Sequence, residues 1–346
     1  MKAGVIGATG YGGAELLRIL QSHPHFEIEA VYSSSQQGKS IVEHYPHLSD
    51  IVPMTLEDIE PKEIARKTGV VFLATPSGIS AEIAPLLLQE GCTVIDLSGD
   101  FRLKNTNDYE TWYKKSPAPK EWIDQAVYAM PELNREQIKT KETKFISNPG
   151  CYPTATLLGL APLVKRGLVE ENSILVDAKS GVSGAGQTAT FGTIFNELNE
   201  NFKIYKVNAH QHIPEIEQML ANWNYESPIT FNTHLVPMTR GIMATIYGKL
   251  SADVTQEELL ELYSNFYKDE PFIRIRPDGV FPATKEVYGS NYCDMGIGLD
   301  TRTGRVTVVS VIDNLMKGAA GQAIQNANIL FGFDETAGLQ FTPVYP

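Results

Sequence analysis

The sequence predicts an α/β protein of two domains. A doubly wound parallel sheet fills the N-terminal half, and an α+β domain with a mixed or antiparallel sheet follows. Three observations carry that prediction. A glycine-rich turn, Gly7 to Gly13, sits between an apolar strand and an apolar-faced helix at the start of the chain. Short, fully apolar runs such as Val70-Val71-Phe72-Leu73 then alternate with helical runs, as strands buried on both faces do. Beyond Lys165 the strand-like runs lengthen and alternate apolar with polar residues, as a sheet with one covered face does.

The size fits two domains, because 346 residues exceed what one small core organises. A net charge of −12 argues against nucleic acid or an anionic membrane as partner. Cys92, Cys151 and Cys293 are widely spaced, with no Cys/His cluster, so neither a metal site nor a disulfide framework is expected. Such usage fits a reducing compartment, hence the cytoplasm. The N-terminus runs straight into a strand, which leaves no room for a signal peptide. No apolar run approaches the roughly 18 residues that span a bilayer.

Ala3 to Ile6 reads as the first strand and Ala14 to Leu20 as a helix, with Pro24 as its stop and Glu27 to Tyr32 as the next strand. In this β-loop-α-β setting Gly7, Thr9, Gly10, Tyr11, Gly12 and Gly13 form a turn whose backbone and helix start can approach a pyrophosphate, as in Rossmann-type domains. The second strand ends in Tyr32-Ser33-Ser34-Ser35-Gln36-Gln37-Gly38-Lys39. It lacks the carboxylate that usually binds a ribose 2′-hydroxyl, while Ser33, Ser34 and Lys39 suit a 2′-phosphate. NADP(H) is therefore favoured over NAD(H). The strand at 69–74 ends in Thr75-Pro76-Ser77-Gly78, a turn at a strand C-terminus where such sheets hold ligands. A helix from Ser80 to Gln89 and a strand from Cys92 to Ile95 follow. Arg102 lies just past that strand and could grip a phosphate or carboxylate as a planar fork. Residues 104–126 read as a polar surface excursion.

Lys144 to Ser147 is strand-like and leads into Asn148-Pro149-Gly150-Cys151-Tyr152-Pro153-Thr154, with a helix from Ala155 to Lys165 beyond. Pro149 and Gly150 force a tight turn that delivers Cys151 to a helix start. Unpaired N–H groups and the helix dipole there favour the nucleophilic thiolate. In the second half, strands are expected at 173–178, 229–236, 243–249, 291–299 and 305–312. Thr255-Gln256-Glu257-Glu258 is a capping box and Pro214 a proline-led helix start. Lys179 to Gly186 reads as a flexible glycine/serine loop, Arg240 as a hairpin residue, and Leu315 to Leu330 as an amphipathic last helix. His210 and His212 are two apart, so an extended segment would present both to the same side. The dipole of the Pro214 helix keeps His212 neutral, which favours it as acid/base over His210, the supporting group.

A cysteine at a helix start, a histidine pair, two arginines and an NADP site have a joint meaning. A thiolate attacks an activated acyl group, hydride reduces the thioester to an aldehyde, a histidine shuttles protons and arginines hold anionic ends. The chain resembles the N-acetyl-γ-glutamyl-phosphate reductase family, kin to the aspartate-semialdehyde dehydrogenases. The matching segments are Gly7 to Leu16, Asp100 to Leu103, Asn148 to Thr154, Ser180 to Gly186, His210 to Ile216 and Asp313 to Ala320. The chain departs from that family at Gln187 and Gln211, where arginine is common.

The resemblance implies NADPH-dependent reduction of N-acetyl-L-glutamyl 5-phosphate to the 5-semialdehyde and inorganic phosphate. It implies Ser180, Gly181 and Asn314 as further cofactor contacts, and Arg102, Asn148, Ser183, Gly184 and Arg240 as substrate contacts. Residues 1–148 and 314–346 would form the NADP domain and 149–313 the catalytic one, in a homodimer or homotetramer. The alternatives are a sister reductase of aspartyl phosphate or of a longer, carrier-linked acyl phosphate, and a non-catalytic NADP(H) sensor, which would need no nucleophile.

Overall fold

The structure, a computed structural model, describes residues 1–140 and 142–345. The chain divides into two units, Met1–Gly150 with Ala319–Gln340, and Cys151–Gly318 with Phe341–Pro346. Among the described residues the strands form two seven-stranded sheets, one in each unit.

The first sheet comprises β1 (Lys2–Ile6), β2 (Glu27–Tyr32), β3 (Leu56–Glu57), β4 (Val70–Leu73), β5 (Thr93–Asp96), β6 (Val127–Tyr128) and β7 (Phe145–Ser147). Its order is β3-β2-β1-β4-β5-β7-β6 and its pairings are parallel. Connections run one way from β1 to β2 and the other way from β4 to β5, so the sheet switches direction beside β1, where such folds bind ligands. Ile6, Tyr32, Val71, Leu73, Val94, Phe101 and Phe145 share one buried cluster, the return for their continuous apolar runs. Residues 104–126 run over the surface as expected, most of them exposed or half-buried, but they are not irregular. They hold helices Thr106–Tyr113 and Lys120–Gln125, with Tyr109 and Ile123 buried. Asn105 caps the first through the Asn107 N–H at 3.0 Å, and the Tyr109 hydroxyl donates to Asp100 at 2.7 Å. That cap and the tie to Asp100 outweigh a composition poor in helix formers.

The second sheet comprises β8 (Leu175–Ser180), β9 (Lys203–Tyr205), β10 (Thr230–Leu235), β11 (Ile242–Lys249), β12 (Ile273–Ile275), β13 (Cys293–Asp300) and β14 (Arg305–Ile312). The order is β12-β13-β14-β11-β8-β10-β9, with β8/β10 and β12/β13 parallel and the other pairs antiparallel. Burial alternates along β8, β10 and β11. One face is covered by helices, among them Cys151–Lys165, and the other is half-open. At Gly159 an added Cβ would lie 2.5 Å from Ile246 Cδ1, which shows how closely that helix sits on β11. The segment with Arg240 is not a hairpin, because β8 lies between β10 and β11. The capping box at Thr255 forms as expected and opens helix Gln256–Phe266.

The end of the chain also departs from expectation. Instead of one amphipathic helix from Leu315, a π-helical turn Met316–Ala320 leads into helix Gly321–Leu330. In the latter, residues 321–329 are buried around the circumference. Its amide nitrogens bond inside the first unit, with Asn326 Nδ2 donating to Ala129 O at 3.0 Å and to Asn148 Oδ1 at 2.9 Å. A buried polar side chain with partners reads in sequence like a solvated one.

Candidate active site

In the first unit the glycine turn closes the end of β1. Gly7 has φ +82°, and a Cβ there would lie 2.5 Å from Ala74 O. A Cβ on Gly13 would lie 2.3 Å from Gly7 O. Internal packing alone demands these two glycines. Gly10 and Gly12 differ, since an added Cβ meets nothing nearer than 3.5 and 3.8 Å. Their openness, at the N-terminus of helix Tyr11–Leu20 where no side chain caps, leaves room for a group brought against the backbone. Thr9 O accepts from the Tyr45 hydroxyl at 2.8 Å, and Tyr11 is exposed. At the end of β2, Ser33 is buried, Ser34 and Lys39 are exposed, and Lys39 Nζ donates to Gln36 Oε1 at 2.8 Å. The turn after β4 brings Thr75 next to Ala74, whose carbonyl abuts Gly7, and Pro76 is exposed. These residues fit a dinucleotide.

Arg102 and Asn148 belong to the same unit and are tied together. Arg102 is buried, with Nε donating to Asn148 O at 2.8 Å and one terminal nitrogen to Leu97 O at 2.7 Å. The Asn148 side chain is enclosed, donating to Ala319 O at 3.2 Å and accepting from Asn326. Both residues thus brace the turn that precedes Cys151.

In the second unit the helix opens at Cys151 itself, earlier than the expected Ala155, and carries Pro153 in its first turn. Proline is accommodated there because that N–H has no intrahelical partner. The helix is 15 residues long, so its N–H groups and dipole converge on the cysteine. Cys151 is half-buried, while Cys92 and Cys293 are buried. A Cβ on Gly318 would come within 2.8 Å of Cys151 Cβ, so that glycine keeps space open beside the cysteine. Sequence reasoning named Gly318 only within a matching segment and drew nothing from it.

Both histidines are buried, and His212 does not lie in an extended segment. His212 adopts helical angles just before helix Ile213–Ala221, and both rings are more than nine-tenths buried. They lie 4.7 Å apart. The Tyr152 ring, next to the cysteine in sequence, stands edge-on at 5.3 Å from His210 and 6.0 Å from His212. Tyr205 closes the cluster, its hydroxyl 3.0 Å from that of Tyr152. His210 Nδ1 accepts the His212 backbone N–H at 3.2 Å. Burial, and then the positive Lys206, push the His210 imidazole down to about 3, so its ring is neutral. Burial also drives the Tyr152 and Tyr205 hydroxyls up, which keeps both protonated.

The glycine/serine run contains a tight, hydrogen-bonded turn. Residues 182–185 form a 3-10 turn, held by Gly181 N–H to Gly241 O at 2.9 Å and Ser183 N–H to Thr239 O at 3.0 Å. A Cβ on Gly181 would strike Thr239 O at 2.7 Å, and one on Gly184 would meet Ser180 Oγ at 2.8 Å. Asn314 joins the same knot, accepting from Gly241 N–H at 2.7 Å and donating to Ser183 Oγ at 2.9 Å. Arg240 pairs with the fully buried Asp313 at 3.0 Å and faces the Tyr288 ring. Among the described residues no group of three or more His, Cys, Asp or Glu could hold a metal, and no helix is long and apolar enough to cross a membrane.

The geometry matches known proteins. Residues 2–141 fit the NAD binding domain of semialdehyde dehydrogenases, and 151–314 fit their dimerisation domain. Aspartate semialdehyde dehydrogenase II from Vibrio cholerae has the same fold at 20% identity, with a TM-score of 0.72 over 96% of this chain and 98% of that one. The Candida albicans aspartate semialdehyde dehydrogenase, solved with NADP, has a TM-score of 0.71 at 19% identity, over 95% and 98%. Proteins named N-acetyl-gamma-glutamyl-phosphate reductase are 60% identical in Geobacillus sp. (strain WCH70) and 57% identical in Bacillus subtilis (strain 168), each over the full length of both chains. With likeness of that degree along its whole length, the chain belongs to the N-acetyl-gamma-glutamyl-phosphate reductase family, NAD(P)-dependent oxidoreductases of semialdehyde dehydrogenase type.

Proposed function

We propose that this protein reduces N-acetyl-L-glutamyl 5-phosphate with NADPH to N-acetyl-L-glutamate 5-semialdehyde and phosphate, a step of arginine biosynthesis, through a thioester on Cys151. The observation that carries the reading is the cysteine at the start of a 15-residue helix, whose next residue, Tyr152, packs against His210 and His212. Cys151 Sγ attacks the acyl carbon, the carbon–oxygen bond to phosphate breaks, and a thioester forms. The bound dinucleotide supplies the hydride. His212, which takes the proton of the Cys151 thiol as Sγ attacks, gives it to the resulting oxyanion and takes it back as the carbon–sulfur bond breaks, the aldehyde leaves and the thiolate returns. Departing phosphate carries the negative charge that Arg102 would meet.

His212 is favoured as acid/base because the alternative is spent. His210 Nδ1 already accepts a hydrogen bond and its ring resists protonation down to about pH 3, far from the pH at which a general base works best. The absence of a carboxylate from Ser33 to Lys39 supports NADPH over NADH. The half-open face of the second sheet, within the span that matches a dimerisation domain, supports a homo-oligomer. Three free cysteines fit the cytoplasm.

The test runs the reaction backwards. Purified protein with the semialdehyde, NADP+ and inorganic phosphate should produce NADPH, with no production when phosphate is omitted. Aspartate semialdehyde should react far more slowly. Equal rates on both aldehydes would point to a sister reductase, and no NADPH from either would point to a sensor.

A further inference from the structure

A tight turn carrying a lysine joins Tyr205 to His210. Lys206 and Asn208 both have left-handed backbone, with φ +48° and +53°. Ala209 N–H closes the turn on Lys206 O at 3.0 Å. Lysine seldom adopts such angles, and residues held in them cluster where a fold places groups for use. Lys206 Nζ donates to Gln211 Oε1 at 2.7 Å, which ties the ammonium to the residue between the two histidines. That oxygen is neutral, and among the described residues no carboxylate pairs with Lys206. An ammonium has three hydrogens, so its charge is unbalanced and two N–H groups remain to donate. Partial burial lowers the ammonium from its ordinary value, a cost that an anion beside it would relieve.

The His210 ring supplies a second donor. Its Nδ1 accepts the His212 backbone N–H at 3.2 Å, so the hydrogen of the neutral ring must sit on Nε2. His210 is only 4% exposed, yet among the described residues no acceptor meets Nε2. An N–H without a partner in so enclosed a ring calls for an explanation. The Lys206 charge bears on this ring, and the ring packs 5.3 Å from that of Tyr152, the residue after Cys151.

One full positive charge and one neutral N–H match a monoanion. The substrate of the proposed reaction carries two anionic groups. Its phosphate departs as the thioester forms, whereas its carboxylate stays through every later step. Arg240, expected to hold an anionic group, spends its charge on Asp313. Resting on the proposed function, we propose that Lys206 and the Nε2–H of His210 form the subsite for the carboxylate of the N-acetylglutamyl substrate. A lysine there also disfavours an unacetylated amino acid, whose own ammonium is joined to the carbon bearing the carboxylate and would be repelled.

The test compares two aldehydes in the reverse reaction with NADP+ and inorganic phosphate. One is N-acetyl-L-glutamate semialdehyde, and the other is the same molecule without its carboxylate, γ-acetamidobutyraldehyde. Wild type should prefer the first by roughly 10- to 100-fold in kcat/KM, the range of a hydrogen bond to a charged group. Lys206→Met should lose that preference through a raised KM for the semialdehyde, with its kcat/KM on the analogue and its KM for phosphate and NADP+ unchanged. Lys206→Arg should restore most of the preference. His210→Asn places an amide where Nδ1 stands, which keeps an acceptor for the His212 N–H and removes the Nε2 donor, so the preference should narrow there too. A Lys206→Met protein that slows equally on both aldehydes, or keeps the wild-type preference, overturns the carboxylate subsite and leaves the reductase standing. A wild type that makes no NADPH from the semialdehyde overturns the proposed function and this inference with it.

Discussion

At the scale of single residues, the chemistry rests on where a few atoms are allowed to be. Replacing Cys151 by Ser is expected to lower kcat by several orders of magnitude with NADP+ affinity retained, because a serine hydroxyl has no comparable ionised fraction at neutral pH. Iodoacetamide should label Cys151 first, since Cys92 and Cys293 are 2% and 0% exposed, and substrate should protect it. Mass spectrometry of the alkylated peptides reads both outcomes. The histidines separate by their surroundings. His212→Asn should lose turnover together with the acidic limb of the pH–rate profile. His210→Asn should keep that limb at reduced turnover, because a ring neutral down to about pH 3 contributes packing and one hydrogen bond to the His212 N–H. The reverse pattern would exchange the two roles.

At the scale of elements, the glycine turn separates two reasons for having no side chain. Gly13 packs against the turn itself, with a Cβ due 2.3 Å from a carbonyl oxygen, whereas Gly12 has only Ala74 Cβ at 3.8 Å. Gly13→Ala should therefore lower the melting temperature and cofactor affinity together. Gly12→Ala should leave the melting temperature within a degree or two and weaken NADP+ binding about tenfold or more, which a thermal melt with and without NADP+ distinguishes. This turn was legible in the sequence because its signals are local, a strand, closely spaced glycines and a helix within twenty residues. The Ser180–Ala185 turn was not. Its glycines exist for contacts with Thr239 and Ser180, and nothing in a run of glycine and serine tells a tight packing motif from a flexible loop. The two helices within the surface segment 104–126 were not legible either, as Tyr109 is tied to Asp100 by a contact that local propensity does not register.

At the scale of the whole molecule, buried titratable groups shape the response to pH. His210 is held neutral in the fold while a free histidine takes a proton near 6.5. Below that value the unfolded chain binds the proton first, so stability is full above about pH 6.5 and falls as the pH drops towards 3. Asp96 works in the opposite sense. Its raised value means the fold binds the proton more tightly than the unfolded chain, so its effect lowers stability as the pH rises from 3.8 to about 6. Denaturant unfolding at pH 5 and at pH 7.5 should show the wild type losing stability at the lower pH, and His210→Gln losing less. An unchanged difference in that variant would remove His210 from the account.

What the sequence determined by itself is what short-range physics writes into it. Apolar runs and glycine spacing specify a parallel sheet ending in a phosphate cradle, and Pro149-Gly150 sets Cys151 at a helix start. The family follows from the same segments, since they are compact and local. Tertiary structure decided which polar residues are spent and which remain for chemistry. Asn148, Asn314 and Arg240, all expected at ligands, are engaged with Asn326, Ser183 and Asp313. The histidines are packed among Tyr152 and Tyr205. A hydrogen bond between residues a hundred positions apart leaves no periodic trace in a chain, and burial that satisfies a polar group looks, residue by residue, the same as exposure to water.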